Sequence, residues 1–202
     1  MKYLAVVVAA LLFVAANAAP SRKAAAPACA TTPAQWTGYI YEISFADAKL
    51  ALRVSEANYD RDAKKLKLTD IDVKESAKKT ITLLDYSTGT SYTSVEGQCT
   101  KGNVTGIIPN FGVPGGATAD RNGAKYLGSS LPNLGVLVYE YYGTDSVDGD
   151  YYVTYTPIGD GEVCVPILRS LLTTSPLKEA IFEYTNITTT LPADPFSMPP
   201  GC

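Results

Sequence analysis

Four cysteines constrain this chain more than any other feature. Cys29 stands just behind an apolar leader, Cys202 is the final residue, and Cys99 and Cys164 lie between them. An even number of cysteines behind a secretion signal reads as a disulfide framework rather than as reactive thiols. With cross-links at Cys29 and Cys202, the expectation is a compact extracellular body without flexible tails.

The leader supports that reading. Lys2 supplies a positive n-region, residues 4–14 form a short apolar run, and Ala16-Asn17-Ala18 places small residues at a cleavage site. The run is well short of the roughly 20 apolar residues that span a bilayer. Residues 1–18 are therefore expected to be a cleaved signal peptide, and residues 19–202 a single secreted domain with no transmembrane segment. Two sequons, Asn103-Val104-Thr105 and Asn186-Ile187-Thr188, are expected to be glycosylated at the surface.

Composition narrows the function. The chain carries 17 basic and 20 acidic residues for a net charge of −3, and the basic residues are scattered. Nucleic-acid recognition needs a basic face, so no such partner is expected. There is no histidine. That removes the commonest general base, the serine–histidine and cysteine–histidine pairs, and the usual catalytic zinc ligands. Ser129 and Ser130 follow Gly128, but no Gly-x-Ser-x-Gly elbow surrounds them. The glycine-rich run 112–116 lacks the Gly-Lys-Ser/Thr ending of a phosphate loop. Asp145, Asp148 and Asp150 bring hard oxygen donors together, yet Val147 occupies the place of the second ligand in an EF-hand loop, and a solvated hairpin is the favoured reading. Asp60, Asp62, Asp70 and Asp72 read as strand faces and turns. The expectation is a protein without catalytic residues, without a required cofactor and with no assigned metal ligand.

Alternation dominates the rest of the chain. Tyr39, Tyr41, Ile43 and Phe45 share one face of the segment 37–45, and Leu50, Leu52 and Val54 follow with the same period. Segments 66–73, 80–86, 92–95, 134–142, 151–158 and 163–167 continue the pattern. The Asp148-Gly149 pair suits a tight hairpin turn between the two most aromatic strands. Residues 102–123, rich in Gly, Pro and Asn, read as a long ordered loop or flap. Pro176 at the first helical position, followed by 177–184, suggests one short helix, although the segment is also short enough to be a strand. The proline-rich tail 191–200 is expected to lie extended until Cys202 pins it. The fold class is mainly β and antiparallel, with at most one or two short helices.

Of the 14 tyrosines, Tyr139, Tyr141, Tyr142, Tyr151, Tyr152 and Tyr155 fall in two neighbouring strands. Tyr139 and Tyr141 alternate with Val136, Val138 and Glu140, so both faces carry bulky groups. Such a sheet lies between two layers or lines a cavity with one face. From alternation, the candidate pocket residues are Tyr39, Tyr41, Ile43, Val136, Val138, Val153 and Tyr155.

The order and spacing of several short pieces then resemble the ependymin-related proteins, in an invertebrate-type form. These are Pro27-Ala28-Cys29, Tyr59-Asp60, Tyr92 with Gln98-Cys99-Thr100-Lys101, and Pro114 with Ala117-Thr118. Leu127-Gly128-Ser129-Ser130, Cys164-Val165-Pro166, Asn186-Ile187-Thr188, Asp194-Pro195-Phe196 and Pro199-Pro200-Gly201-Cys202 complete the set. The resemblance implies two stacked antiparallel sheets forming a half-open, barrel-like domain with a deep hydrophobic pocket, similar to bacterial lipoprotein-carrier domains. It implies the disulfides Cys29–Cys164 and Cys99–Cys202. It also implies a secreted glycoprotein, often a homodimer, that carries or scavenges hydrophobic or lipid-like molecules. Calcium binding and extracellular-matrix adhesion are attributed to some members, so a calcium-associated matrix, adhesion or mucus protein is the alternative expectation. An additional cysteine pair of the vertebrate pattern is missing here.

Overall fold

The computed structural model describes residues 29, 32–46, 49–71, 79–114, 116–120, 124–128, 135–145, 149–158, 163–174 and 177–202. The expected signal peptide, Asp72, Asp148 and the pair Ser129-Ser130 lie outside them. The strands are β1 (Gln35–Ala46), β2 (Lys49–Asp60), β3 (Lys65–Ile71), β4 (Lys79–Asp85), β5 (Thr90–Val95) and β6 (Gln98–Asn103), followed by β7 (Thr118–Ala119), β8 (Lys125–Leu127), β9 (Val136–Asp145), β10 (Gly149–Ile158), β11 (Val163–Thr174) and β12 (Leu177–Thr188).

All strands join one antiparallel ladder in the order β6-β5-β4-β3-β2-β1-β12-β11-β10-β9-β7, with β8 sharing the outer edge of β9. The expected antiparallel β architecture is present, and what was expected as two sheets is hydrogen-bonded into one. The last strand makes the join: β12 inserts between β1 and β11 and pairs with both. The end strands β6 and β7 do not pair, so the sheet is open.

Local chemistry sets the turns. Val95 pairs with Gln98, leaving a two-residue loop in which Glu96 and Gly97 both have positive φ, 51° and 82°. That is the mirror-image turn whose twist suits a hairpin. In the β4–β5 turn the Asp85 carboxylate accepts the amides of Ser87 and Thr88.

Two expectations are corrected. Residues 177–184 form strand, not helix. Ala180, Phe182 and Tyr184 face one side while Ile181 and Glu183 face the other, and pairing on both edges overrides the local helical pattern. The stretch read as one loop contains the end of β6 and the short β7, so the loop proper is residues 104–117.

Two buried clusters sit on the same face of the ladder. One gathers Trp36, Ala57, Tyr59 and Leu66; the other gathers Tyr139, Tyr141, Tyr151, Val153 and Tyr155 with Cys29 and Cys164. The disulfides are Cys29–Cys164 and Cys99–Cys202, the pairing that the resemblance implies. On the opposite face the tail crosses β3 to β5. Lys67 Nζ donates to Ser197 at 2.9 Å, and Ser94 Oγ donates to the Pro200 carbonyl at 2.7 Å.

Candidate functional site

The register aligns one face across five strands. Trp36 lies opposite Tyr59, Ile40 opposite Ser55, and Glu42 opposite Arg53 on β1 and β2. Tyr184 and Phe182 of β12 continue the same rows, opposite Ile40 and Glu42. Arg169 and Leu171 of β11 follow, opposite Phe182 and Ala180. Val153 and Tyr151 of β10 end the rows.

The loop 104–117 passes over this face as a strap. Tyr59 on β2 donates its hydroxyl to the Pro109 carbonyl at 3.0 Å, and Tyr155 on β10 donates to the Phe111 carbonyl at 2.9 Å. Two tyrosines from distant parts of the ladder therefore hold neighbouring carbonyls of one segment. Beyond them the Val113 amide donates to the Cys29 carbonyl at 3.1 Å. The Phe111 ring sits edge-on to Trp36, Tyr59 and Tyr184, with centroids 5.1, 5.0 and 6.2 Å away. Such geometry is the favoured one for aromatic quadrupoles.

Between strap and sheet lies a cavity of about 310 Å³. Its apolar walls are Ile40, Leu66, Leu68, Leu171, Phe182 and Tyr184, with Pro109 and Phe111 supplied by the strap. Glu42, Arg53, Ser55 and Arg169 complete the lining. Arg53 is paired with Asp70 at 2.5 Å, and Ser55 donates to the other oxygen of that carboxylate at 2.6 Å. The hydrogen bond to Asp70 raises the Arg53 pKa further, against the cost of burial. Burial pushes the Tyr184 hydroxyl up to about 12 and raises that of Tyr155 as well. Both hydroxyls therefore stay protonated at ordinary pH.

None of the seven candidate pocket residues lines this cavity. Tyr39, Tyr41 and Ile43 stand on the other face of β1, where Tyr41 and Ile43 are exposed. Val136 is exposed and Val138 is buried on the side of β9 away from Tyr139 and Tyr141. Val153 and Tyr155 do lie on the cavity face, within the second buried cluster. Asn103 and Asn186 are both exposed.

A second polar group lies away from the cavity. Lys125 of β8 meets both Asp120, at 2.6 Å, and Glu140, which raises its pKa. It ties β8 to β9 as a structural contact. Among the described residues no group of three or more Cys, Asp or Glu side chains is arranged to hold a metal ion. No helix among them is long and apolar enough to cross a membrane.

No protein-family model matches the chain. Relatives are found among curated sponge proteins. The alpha chain of halilectin 3 from Haliclona caerulea is 34% identical over 148 residues, covering 73% of this chain and 96% of that one. The beta chain of the same protein is 40% identical over 118 residues, covering 58% and 98%. Similar solved structures include a LolA superfamily protein from Nitrosomonas europaea, with a TM-score of 0.40, 9% identity and coverage of 83% and 92%. A domain assigned as an outer membrane lipoprotein-sorting protein from Vibrio parahaemolyticus has a TM-score of 0.41, 8% identity and coverage of 81% and 89%.

Proposed function

The chain belongs to the family of the halilectin 3 chains, and from that premise we propose that it is a secreted, non-enzymatic protein that binds an amphipathic organic molecule between the strap and the sheet face it crosses. The observation that carries the reading is the lining itself. Eight apolar or aromatic side chains from β1, β3, β11, β12 and the strap converge on one cavity, with a few polar groups from β1, β2 and β11. Ligand pockets have this make-up, a mostly apolar wall giving affinity and sparse polar groups giving orientation. Its volume, near the low end of such sites, suits a single chain or ring system. Secretion is supported by the leader and two disulfides, glycosylation by the exposure of Asn103 and Asn186, and the ependymin-related grouping by the ordered short motifs.

A carbohydrate ligand is the second reading. The relatives are named as chains of a lectin. The row Asp70, Ser55, Arg53 and Glu42 beside Phe182 offers hydrogen-bonding groups next to an aromatic ring, which is a surface that sugars use as well.

Equilibrium titration with a fluorescent acyl probe separates these readings. Leu68→Asp, inside the cavity, is expected to lower affinity at least tenfold, whereas Ile43→Asp on the outer face leaves it unchanged. Equal affinities in the two folded variants would remove the cavity as the site. Absence of acyl binding together with glycan-array binding would establish the second reading.

A further inference from the structure

We infer that the Cys99–Cys202 disulfide is a redox latch. A dithiol reduces it selectively and frees the C-terminal tail from the outer face of the sheet, while the sheet and the Cys29–Cys164 bond stay intact. The device lies on the face opposite the cavity and works whatever the cavity binds.

The two disulfides differ in access rather than in the loops they close. Their cysteines are 135 and 103 residues apart, and loop entropy rises only with the logarithm of length, so it barely separates them. Cys29 and Cys164 are 1% and 0% exposed, inside the buried cluster of tyrosines. Cys202 is exposed and Cys99 is half-buried. Exchange requires a thiolate to reach a disulfide sulfur. A reductant therefore meets the tail bond in the folded protein and meets the core bond only after the sheet has opened.

The bond holds a segment that no ladder holds. Residues 189–202 follow the end of β12 and belong to no strand. Lys67 donates to both the carbonyl and the hydroxyl of Ser197 at 2.9 Å, Ser94 donates to the Pro200 carbonyl, and Pro199 is buried. A chain end held by side-chain contacts alone frays unless its terminus is tied down, and here the disulfide ties down the last residue. Leu83 lies opposite Lys67 in the ladder, on the face that the tail crosses, and is only 3% exposed. Release of the tail uncovers it. The apolar outer face, already open at Ile43, Leu50 and Leu52, then extends toward β4.

The chemistry is a two-electron reduction by exchange. A thiolate of the dithiol attacks Sγ of Cys202, the S–S bond breaks, and Cys99 leaves as a thiolate that takes up a proton. The second thiol of the reductant then attacks the mixed disulfide. That step releases the Cys202 thiol and leaves the reductant as its own disulfide.

The test exposes the purified, oxidised protein to increasing dithiothreitol, blocks free thiols with iodoacetamide and maps the blocked cysteines by mass spectrometry. Cys99 and Cys202 are expected to be blocked at concentrations that leave Cys29 and Cys164 unmodified, with the circular dichroism of the sheet unchanged. Chymotrypsin is then expected to cut after Phe196, a half-buried residue of the docked tail, in the partly reduced protein and not in the oxidised one. A folded protein carrying both Cys99→Ser and Cys202→Ser is expected to be cut there without reductant. Reduction of the two bonds together, or loss of the sheet signal when the tail bond alone is reduced, overturns the inference. So does a Phe196 site that is equally susceptible with the bond closed and open.

Discussion

The hydroxyl of Tyr155 on β10 reaches across the sheet face to the carbonyl of Phe111 and donates to it at 2.9 Å. Tyr59, far along the ladder on β2, does the same for Pro109 at 3.0 Å. An open sheet has no ladder bonds to close it, and here the strap connects its two regions instead. The aromatic ring of Phe111 packs beneath those two clasps and forms part of the cavity wall.

Loosening the strap should cost stability in proportion to what each group buries. Tyr155→Phe leaves the Phe111 carbonyl without its donor, with an expected loss of about 1–2 kcal/mol. Phe111→Ala removes a ring in contact with three aromatic neighbours and should cost about 3 kcal/mol. Urea unfolding measures both, and a change below about 0.5 kcal/mol in either variant would show that the strap is held elsewhere.

Alkaline pH should weaken the fold in a defined window. Burial raises the hydroxyl pKa of Tyr184 to about 12 and lifts that of Tyr155 well above the ordinary 10.0. An acid whose pKa is raised by folding holds its proton better in the folded state. Its contribution is complete below the unfolded value and is lost as the pH rises above 10 toward the folded value. Stability followed against pH should fall steeply there, and more gently in Tyr155→Phe. An unchanged slope in that variant would mean that Tyr155 ionises as an exposed phenol does.

The tail and its disulfide should be worth as much as a core side chain. Cys99 and Cys202 are 103 residues apart, and a loop of about that length is stabilised by roughly 4–5 kcal/mol in the chain-entropy model. Replacing both by Ser should lower the unfolding free energy by that amount. Gly201→Ala tests the docking without breaking the bond, because φ is +79° there and an added methyl group would collide with the Gly97 carbonyl. A Gly201→Ala protein as stable as the parent would show that the tail is not seated on the β5–β6 turn.

Gly143 is needed for a close approach of a different kind. A methyl group at this position of β9 would run into the hydroxyl end of Tyr151, which lies opposite it on β10 and is buried. Gly143→Ala should cost about 1–3 kcal/mol through overpacking. Adding Tyr151→Phe should recover part of that loss, and no recovery would place the strain in the backbone instead.

Much of this fold was legible in the alternation of the strands, and the misreadings have a common physical source. On β1 the outward face carries Tyr39, Tyr41, Ile43 and Phe45, whereas the cavity face carries Trp36, Gly38, Ile40 and Glu42. Hydrophobicity alone therefore selects the face turned away from the cavity. Tyr41, Ile43, Phe45, Leu50 and Leu52 form a contiguous exposed apolar surface on the outside of β1 and β2. The usable signal was Glu42 on β1 and Arg169 on β11, each the single charged residue of its strand. Charged groups in mid-strand are rarely buried without a partner or a role. Residues 177–184 were misread for another reason. Their local sequence suits a helix, and only insertion between β1 and β11, a contact no local pattern encodes, makes them strand. The strap was recognisable by its Gly, Pro and Asn content, but its Phe111 plug depends on tyrosines more than 40 residues away in the chain.

Native mass spectrometry of the purified protein, followed by extraction of whatever it carries, tests the central claim most directly. The account predicts a lipid-sized adduct at one per chain, lost in Leu68→Asp and retained in Ile43→Asp. A bare protein mass that does not change after incubation with fatty acids, phospholipids and glycolipids would contradict it.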